Sequence, residues 1–160
     1  MPLQEGDRAP DFQFETDRRR HLKLSDLQGK PAVVFFYPKD DTPGCTKEAV
    51  GFSEKLAEFE AAGARLLGVS KDDATSHAKF KAKHGIQIEL GTAADNEALE
   101  PWGAWVEKSM YGKAYMGIDR MTVLIDADGV VRRVWRKVKV PGHVDEVLKA
   151  VQALGSGQTA

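Results

Sequence analysis

The hydrophobic residues of this chain form short unbroken runs, and the stretches between them carry apolar residues at helical spacing. The clearest run, AVVFFY at residues 32–37, predicts a strand that is buried on both faces. Apolar residues then recur at steps of four and three, which predicts a helix over residues 43–62 that ends at Gly63. A second run at residues 64–70 completes a strand–helix–strand unit, and such units are parallel and right-handed.

The pattern on either side of this unit predicts a mixed α/β fold. Apolar alternation around residues 12–24 indicates an N-terminal β-hairpin with an arginine-rich, exposed tip. Further on, the pattern predicts a helix at 74–84, a strand at 87–90, a short helix at 95–102, a hairpin of strands 122–125 and 130–135, and a final helix that ends near residue 154. This order is typical of a thioredoxin-like sandwich, a central mixed β-sheet flanked by helices, here with an N-terminal β-hairpin extension. We expect one domain over residues 1–154 and a disordered tail over residues 155–160.

Composition and charge narrow the function classes. The chain has 160 residues, 42% of them hydrophobic and 29% charged, which is ordinary for a soluble globular protein. A formal net charge of −1 gives no electrostatic reason to expect nucleic acid or a membrane surface as a partner. No secretory signal and no apolar run long enough for a membrane span are visible. A single cysteine cannot form an internal disulfide, so we expect a reducing, cytoplasmic location.

That cysteine, Cys45, occupies a position with specific chemistry. Thr42 suits the N-cap of the predicted helix, Pro43 its first position and Gly44 its second, so Cys45 falls in the first turn. Backbone N–H groups there lack partners and the helix dipole is positive, which stabilises a thiolate. A free cysteine on the inner face of a helix is more often a small core residue. The Thr-Pro-Gly lead-in and the place at a strand's exit instead predict a reactive thiol at an exposed rim.

The residues around Cys45 resemble a known family. Pro38, Thr42 and Cys45 reproduce the Pro-x-x-x-Thr-x-x-Cys signature of the peroxiredoxins, and the run FYPKDDTPGCTKEA at residues 36–49 resembles their Q-type branch, the bacterioferritin-comigratory proteins. The resemblance implies a thiol-dependent peroxidase that acts on hydrogen peroxide and organic hydroperoxides and needs no cofactor or metal. It also implies roles for Cys45 as nucleophile, for Thr42 and Pro38 in the peroxide pocket, and for Arg120 beside the sulfur. Glu48 matches a family glutamate that orients this arginine.

The chain departs from that family at the resolving cysteine. Many Q-type members carry it five residues after the reactive cysteine, where this chain has Val50, and others carry it where this chain has Lys81. The resemblance therefore implies a one-cysteine enzyme whose oxidised Cys45 is reduced by an external thiol, with thioredoxin, glutaredoxin and glutathione as candidates, or forms a disulfide with a second copy. We expect a monomer or a weak homodimer. The alternative function is a redox sensor that signals to a partner through oxidised Cys45.

Other features are interpreted as structural. His77 and His84, seven residues apart on one helix, are too distant to share a metal and are expected to be partly exposed. The sequence at 126–129 resembles the start of a calcium loop, but Val131 and Lys137 stand where the glycine and the glutamate of such a loop are needed. An aromatic cluster is interpreted as packing, beside a mobile segment at 111–117. Its members are Trp102, Trp105, Tyr111 and Tyr115.

Overall fold

The computed structural model describes residues 3–17, 20–93 and 99–155. Its α-helices are α1 (Pro43–Glu54), α2 (Leu56–Ala61), α3 (Ala74–His84) and α4 (His143–Gly155). Its strands are β1 (Gln13–Thr16), β2 (His21–Lys23), β3 (Ala32–Phe36), β4 (Arg65–Ser70), β5 (Glu89–Ala93), β6 (Trp105–Met110), β7 (Lys113–Ile118), β8 (Met121–Ile125) and β9 (Val131–Trp135). Short 3-10 turns lie at Leu24–Leu27 and Glu100–Trp102.

A seven-stranded mixed sheet in the order β2-β1-β5-β4-β3-β8-β9 organises the molecule. Strand β3 is central, parallel to β4 and antiparallel to β8. Phe36 at the end of β3 is paired with Met121 at the start of β8, so the segment before β8 lies beside the segment after β3. This register brings residue 120 next to the first turn of α1, as the predicted topology requires.

The two faces of the sheet are covered differently. Alternate residues of β3 point to opposite sides, so Val33 and Phe35 join one apolar cluster while Val34 and Phe36 join another. The first cluster contains buried residues of all four helices. The second is closed by the N-terminal segment and by Trp102, whose ring is fully buried. Both faces of β3 are therefore buried from solvent, which explains its uninterrupted apolar sequence.

Two element predictions and one packing interpretation were wrong in detail. The helix predicted over 43–62 is two helices, because Lys55 leaves the α conformation with φ −98° and ψ 6°. The strand predicted at 87–90 lies at Glu89–Ala93. The aromatic cluster interpreted as packing is only partly buried, because Tyr111 and Tyr115 are 97% and 43% exposed. The segment 111–117 contributes to a regular two-stranded hairpin, β6–β7, and its mobility stays a prediction.

The predicted N-terminal hairpin is confirmed as β1 paired with β2. Strand β1 also pairs with β5, so the hairpin forms one edge of the sheet. One domain over residues 1–154 stays a prediction. Of the predicted disordered tail, Gly155 is the last residue of α4, and residues 156–160 lie outside the described part of the chain. No helix among the described residues is long and apolar enough to cross a membrane.

Candidate active site

Cys45 lies in the first turn of α1, directly after the loop that leaves β3. Thr42 is the N-cap residue and Pro43 opens the helix, so Cys45 occupies its third position, as the sequence predicts. The expectation of an exposed rim was wrong, because Cys45 is only 1% exposed. The α1 face that carries Ala49 and Phe52 packs into the apolar cluster on β3. Cys45 lies on the same face and is buried in the same cluster. The sulfur is therefore buried but lies beside a polar group.

That polar group is the guanidinium of Arg120. Its Nη2 donates to Cys45 Sγ at 3.2 Å, and its Nη1 donates to Glu48 Oε1 at 2.9 Å. Cys45 and Glu48 are three residues apart on α1, so both face the same side of the helix and one planar fork reaches both. Burial alone would lower the pKa of Arg120, but the neighbouring Glu48 and Cys45 raise it, and the guanidinium stays charged. A permanent cation beside a thiol stabilises the thiolate.

Glu48 is fully buried and only partly paired. Its Oε1 accepts from Arg120, whereas its Oε2 has no hydrogen-bond partner among the described residues. Burial raises the pKa of Glu48 to about 7, and Arg120 opposes part of that rise. The carboxyl group therefore changes charge near neutral pH, next to the cation that faces Cys45.

Thr42 and Pro38 belong to the loop before α1. Thr42 is half-buried and makes no side-chain cap, because its hydroxyl donates to the carbonyl of Lys39 at 2.9 Å instead. The N–H groups of the first helical turn are thus left without a capping oxygen from Thr42, and the Thr42 oxygen is left able to accept. Pro38 is exposed.

Gly44 is required by the close approach of Arg120. A Cβ atom at this position would lie 3.0 Å from Arg120 Nη2, closer than most carbon contacts. The same glycine lines a cleft of about 570 Å³ over the first turn, together with Pro43, Lys47, Lys139, Val140 and Pro141. The absence of a side chain at residue 44 therefore leaves space both for the guanidinium and for this opening.

Val50 and Lys81, the two positions at which the resemblance implied a resolving cysteine, are structural residues. Val50 packs against the apolar cluster of α1. Lys81, on α3, forms an ion pair with Asp17, with Nζ and Oδ2 3.0 Å apart and side chains 15% and 9% exposed. Neither can form a disulfide with Cys45.

Sequence reasoning missed a polar cluster behind the loop. His77, predicted to be partly exposed, is fully buried and faces Asp40 of the loop, with Nδ1 and Oδ2 2.7 Å apart. The hydroxyl of Tyr37 donates to the other oxygen of Asp40 at 2.6 Å. Apolar periodicity could not show this contact, because a histidine on the inner face of a helix interrupts the pattern and its partner lies in a distant loop.

Metal binding has no support in the described part of the chain, where no group of three or more His, Cys, Asp or Glu side chains is arranged to hold a metal ion. The chemistry of the site is that of one sulfur with a cation beside it.

Comparison with known proteins identifies the family of the chain. Residues 5–134 match the model of the AhpC/TSA family. The chain belongs to the AhpC/TSA family. Peroxiredoxin Bcp of Bacillus subtilis is 42% identical over 152 residues, which cover 95% of this chain and 97% of that protein. A crystal structure of a PrxQ cysteine-to-serine mutant from Xylella fastidiosa matches with a TM-score of 0.90 and 35% identity, and the match covers 96% of this chain and 98% of the other.

A second solved structure concerns activity. Bacterioferritin comigratory protein of Xanthomonas campestris, described for its alkyl peroxide reduction activity, matches with a TM-score of 0.85 and 41% identity over 90% of this chain and 92% of the other. The predicted family and thioredoxin-like fold are thus confirmed. The chain is a peroxiredoxin, a thiol-dependent peroxidase that uses peroxide and a thiol reductant.

Proposed function

We propose that this peroxiredoxin reduces hydrogen peroxide and organic hydroperoxides at Cys45 and that an external thiol restores the enzyme. The observation that carries the proposal is the 3.2 Å contact of Arg120 Nη2 with Cys45 Sγ in the first turn of α1. The guanidinium and the helix N-terminus hold the sulfur as a thiolate, which is the nucleophilic form.

The first half of the cycle is a displacement on oxygen. The Cys45 thiolate attacks one peroxide oxygen, an S–O bond forms, and the O–O bond breaks. The attacked oxygen keeps its hydrogen, so the sulfur becomes a sulfenic acid, and the departing oxygen takes a proton from solvent and leaves as water or alcohol. The Thr42 oxygen accepts a hydrogen bond from the peroxide, and Arg120 with the Cys45 backbone N–H stabilises the charge that moves onto the departing oxygen.

Pro38 and Glu48 have supporting roles in this proposal. Pro38 shields one side of the bound peroxide from water. Glu48 holds the plane of the Arg120 guanidinium so that Nη2 faces the sulfur, which the 2.9 Å contact on Nη1 supports. The peroxide enters through the cleft over the first turn, because Gly44 lines the cleft and a side-chain carbon at that residue would lie 3.0 Å from Arg120 Nη2.

The second half of the cycle needs a thiol from outside. A reductant thiol attacks the sulfenic sulfur and releases water to form a mixed disulfide, and a second thiol then releases the Cys45 thiolate with a disulfide of the reductant. Thioredoxin, glutaredoxin and glutathione are the candidate reductants. A sulfur that is 1% exposed is accessible to them only if the first turn of α1 opens. We place the enzyme in the cytoplasm, because a lone thiol suits a reducing compartment. We also expect it to be a monomer or a weak homodimer.

Peroxide consumption measured over many turnovers tests the proposal. With each candidate reductant in excess, the wild-type chain should consume peroxide repeatedly and Cys45→Ser should consume none. Consumption of one equivalent followed by no further reaction with any reductant would contradict the enzyme and favour the redox-sensor alternative. Repeated turnover by Cys45→Ser would contradict the assignment of the nucleophile.

A further inference from the structure

The loop of residues 37–42, here called the active-site loop, is held by hydrogen bonds and ion pairs to side chains of helix α3. Asp40 of this loop accepts from Tyr37 Oη at 2.6 Å and from Ser76 Oγ at 2.8 Å, and it lies 2.7 Å from His77 Nδ1. The side chains of Asp40 and His77 are 3% and 0% exposed. Neither residue has a part in the proposed chemistry, and burying two ionisable groups costs free energy unless they are paired.

The hydrogen-bond partners assign the protonation of this pair. His77 Nε2 lies 3.1 Å from Thr92 Oγ1, and the Thr92 hydroxyl donates its only hydrogen to the carbonyl of Asp72. The Thr92 oxygen can therefore only accept from His77, so Nε2 carries a hydrogen. On the other side of the ring, Nδ1 faces a carboxylate oxygen, which is also an acceptor.

The remaining groups around Asp40 are donors. Burial, with Asp40 beside it, raises the pKa of Tyr37, so the phenol keeps its proton and donates. Asp40 therefore accepts hydrogen bonds from Tyr37 and from Ser76, which favour its carboxylate form. Because Nδ1 and Oδ2 are 2.7 Å apart, a hydrogen lies between them; with that hydrogen on Nδ1, both ring nitrogens of His77 are donors and the pair is a buried imidazolium–carboxylate ion pair.

The ion pair fixes the backbone on which the peroxide pocket is built. Asp40 lies two residues after Pro38 and two residues before Thr42, and its backbone N–H donates to Asp72 Oδ2 at 2.8 Å. The next residue, Asp41, has the left-handed φ of 61° and is held by Lys83 and His84 of α3, each at 2.8 Å. The loop is thus attached to α3 through two successive side chains.

We propose that Asp40 and His77 are positioning residues of the peroxidase reaction, whose buried ion pair holds the active-site loop so that Thr42 and Pro38 face the peroxide. The inference rests on the proposed function of Cys45. It assigns α3 a role in this chain even though Lys81 replaces the cysteine that some relatives carry on this helix. Arg120 reaches Cys45 from the segment just before β8 and makes no hydrogen bond to either member of the pair.

This separation gives the test. In His77→Gln and in Asp40→Asn, the rate constant for peroxide oxidation of Cys45 should fall by about 10–100-fold, the size of effect that a small misplacement produces. The rate of alkylation by iodoacetamide reports the nucleophilicity and accessibility of the thiol but not the positioning of a peroxide, and it should change much less. The double variant Asp40→Asn/His77→Gln leaves no buried unpaired charge, so its loss should be smaller than the product of the two single losses.

The matched control is Lys81→Met, which removes another partly buried ion pair from the same helix. Its peroxide rate should stay close to the wild-type rate at comparable thermal stability. If peroxide oxidation and alkylation fall by the same factor in His77→Gln, or if Lys81→Met loses as much peroxide reactivity as His77→Gln, the positioning role is wrong and the pair only stabilises the fold.

A spectroscopic measurement is independent of activity. Nitrogen-15 chemical shifts of the wild-type His77 ring near neutral pH should show both nitrogens protonated. A ring with one protonated nitrogen overturns the ion pair even if the enzyme is active. A wild-type chain that does not consume peroxide overturns the proposed function instead, and the ring protonation then still decides whether the ion pair exists.

Discussion

At the scale of single residues, Gly44 decides how closely Arg120 can approach the sulfur. In Gly44→Ala, the new Cβ would lie 3.0 Å from Nη2, so the guanidinium must shift by about a few tenths of an ångström, which lengthens its hydrogen bonds to Cys45 and Glu48. Alanine also suits a helix better than glycine. We therefore expect a variant that is as stable as the wild type or more stable, yet oxidised by peroxide about 10–1000-fold more slowly, as after loss of one transition-state donor.

Stopped-flow oxidation and thermal denaturation check this prediction together. Gly117→Ala on β7 is the matched control, because its Cβ would meet only ordinary contacts from 3.4 Å outwards. An unchanged peroxide rate in Gly44→Ala would show that Arg120 does not act on the sulfur at this distance.

Glu48 gives a pH dependence of stability with a definite sign. Its folded pKa is about 7, above the usual value of 4.5, because of burial. The folded state therefore binds more protons than the unfolded state between these values, and the stability contributed by protonated Glu48 is lost as the pH rises from about 4.5 through 7. Relative to Glu48→Gln, the free energy of unfolding should fall by on the order of 2–3 kcal/mol across this window.

Urea unfolding at several pH values, with both proteins in a Cys45→Ser background so that the thiol does not titrate, measures this difference. Burial lowers the pKa of His143 to about 4, so this histidine destabilises the fold as the pH falls below the ordinary pKa of 6.5. The effect is the same in both proteins and cancels in the difference between their free energies of unfolding. A difference that is flat with pH would contradict the assignment to Glu48.

At the scale of elements, opening of α1 should limit reduction of the oxidised sulfur. Gly51 weakens this helix, and a Cβ there would lie 3.0 Å from Val144 Cγ2 of α4. Val144→Ala makes room, so Gly51→Ala/Val144→Ala should be more stable than Val144→Ala alone by up to about 1 kcal/mol. The stiffer helix should slow reduction of the sulfenic acid by a protein thiol.

The comparison with Val144→Ala is made by thermal denaturation and by the rate of reduction after one equivalent of peroxide. Oxidation by peroxide itself serves as the internal control and should stay the same in both variants, since a small molecule does not need the helix to open fully. Equal reduction rates in a measurably stiffer helix would contradict the opening step.

The elements that could be predicted from the sequence are those with a one-sided or fully buried pattern. Strand β3 and helix α1 are of this kind, and their junction placed Cys45 in the first helical turn correctly. Hairpin β6–β7 was missed because most of its side chains are exposed and show no hydrophobic periodicity. Its turn also places Tyr111 at φ 53°, ahead of Gly112, and tyrosine seldom adopts this conformation. The break at Lys55 has no sequence signal that we recognise.

The site was predictable where motif and topology agree and not where side chains from separate elements meet. Arg120 could be placed beside Cys45 because the antiparallel pairing of β8 with β3 brings its start to the end of β3. The burial of Cys45 and of Glu48 depends on how deeply α1 packs, which spacing does not reveal. The contact of Asp40 with His77 depends on the path of a loop, and loops have no period to read.

At the scale of the whole molecule, the single cysteine determines which oxidised products are possible. With one equivalent of peroxide and no thiol, intact-mass spectrometry should show one added oxygen on Cys45 and no internal disulfide, because the 160 residues contain no second sulfhydryl. Excess peroxide should carry the same sulfur to the sulfinic acid, since nothing in the chain competes for the sulfenic acid.

Addition of glutathione before the excess peroxide should protect the sulfur by forming a mixed disulfide at Cys45. The matched control omits the thiol and should show the sulfinic acid accumulating instead. A covalent dimer that forms faster than the mixed disulfide would contradict resolution by a small thiol and would assign that step to a second copy of the chain. Because Cys45 is buried, such a dimer requires α1 to open in both copies at once, whereas a small thiol requires it in one. The molecule as folded therefore favours the small thiol over its own copy.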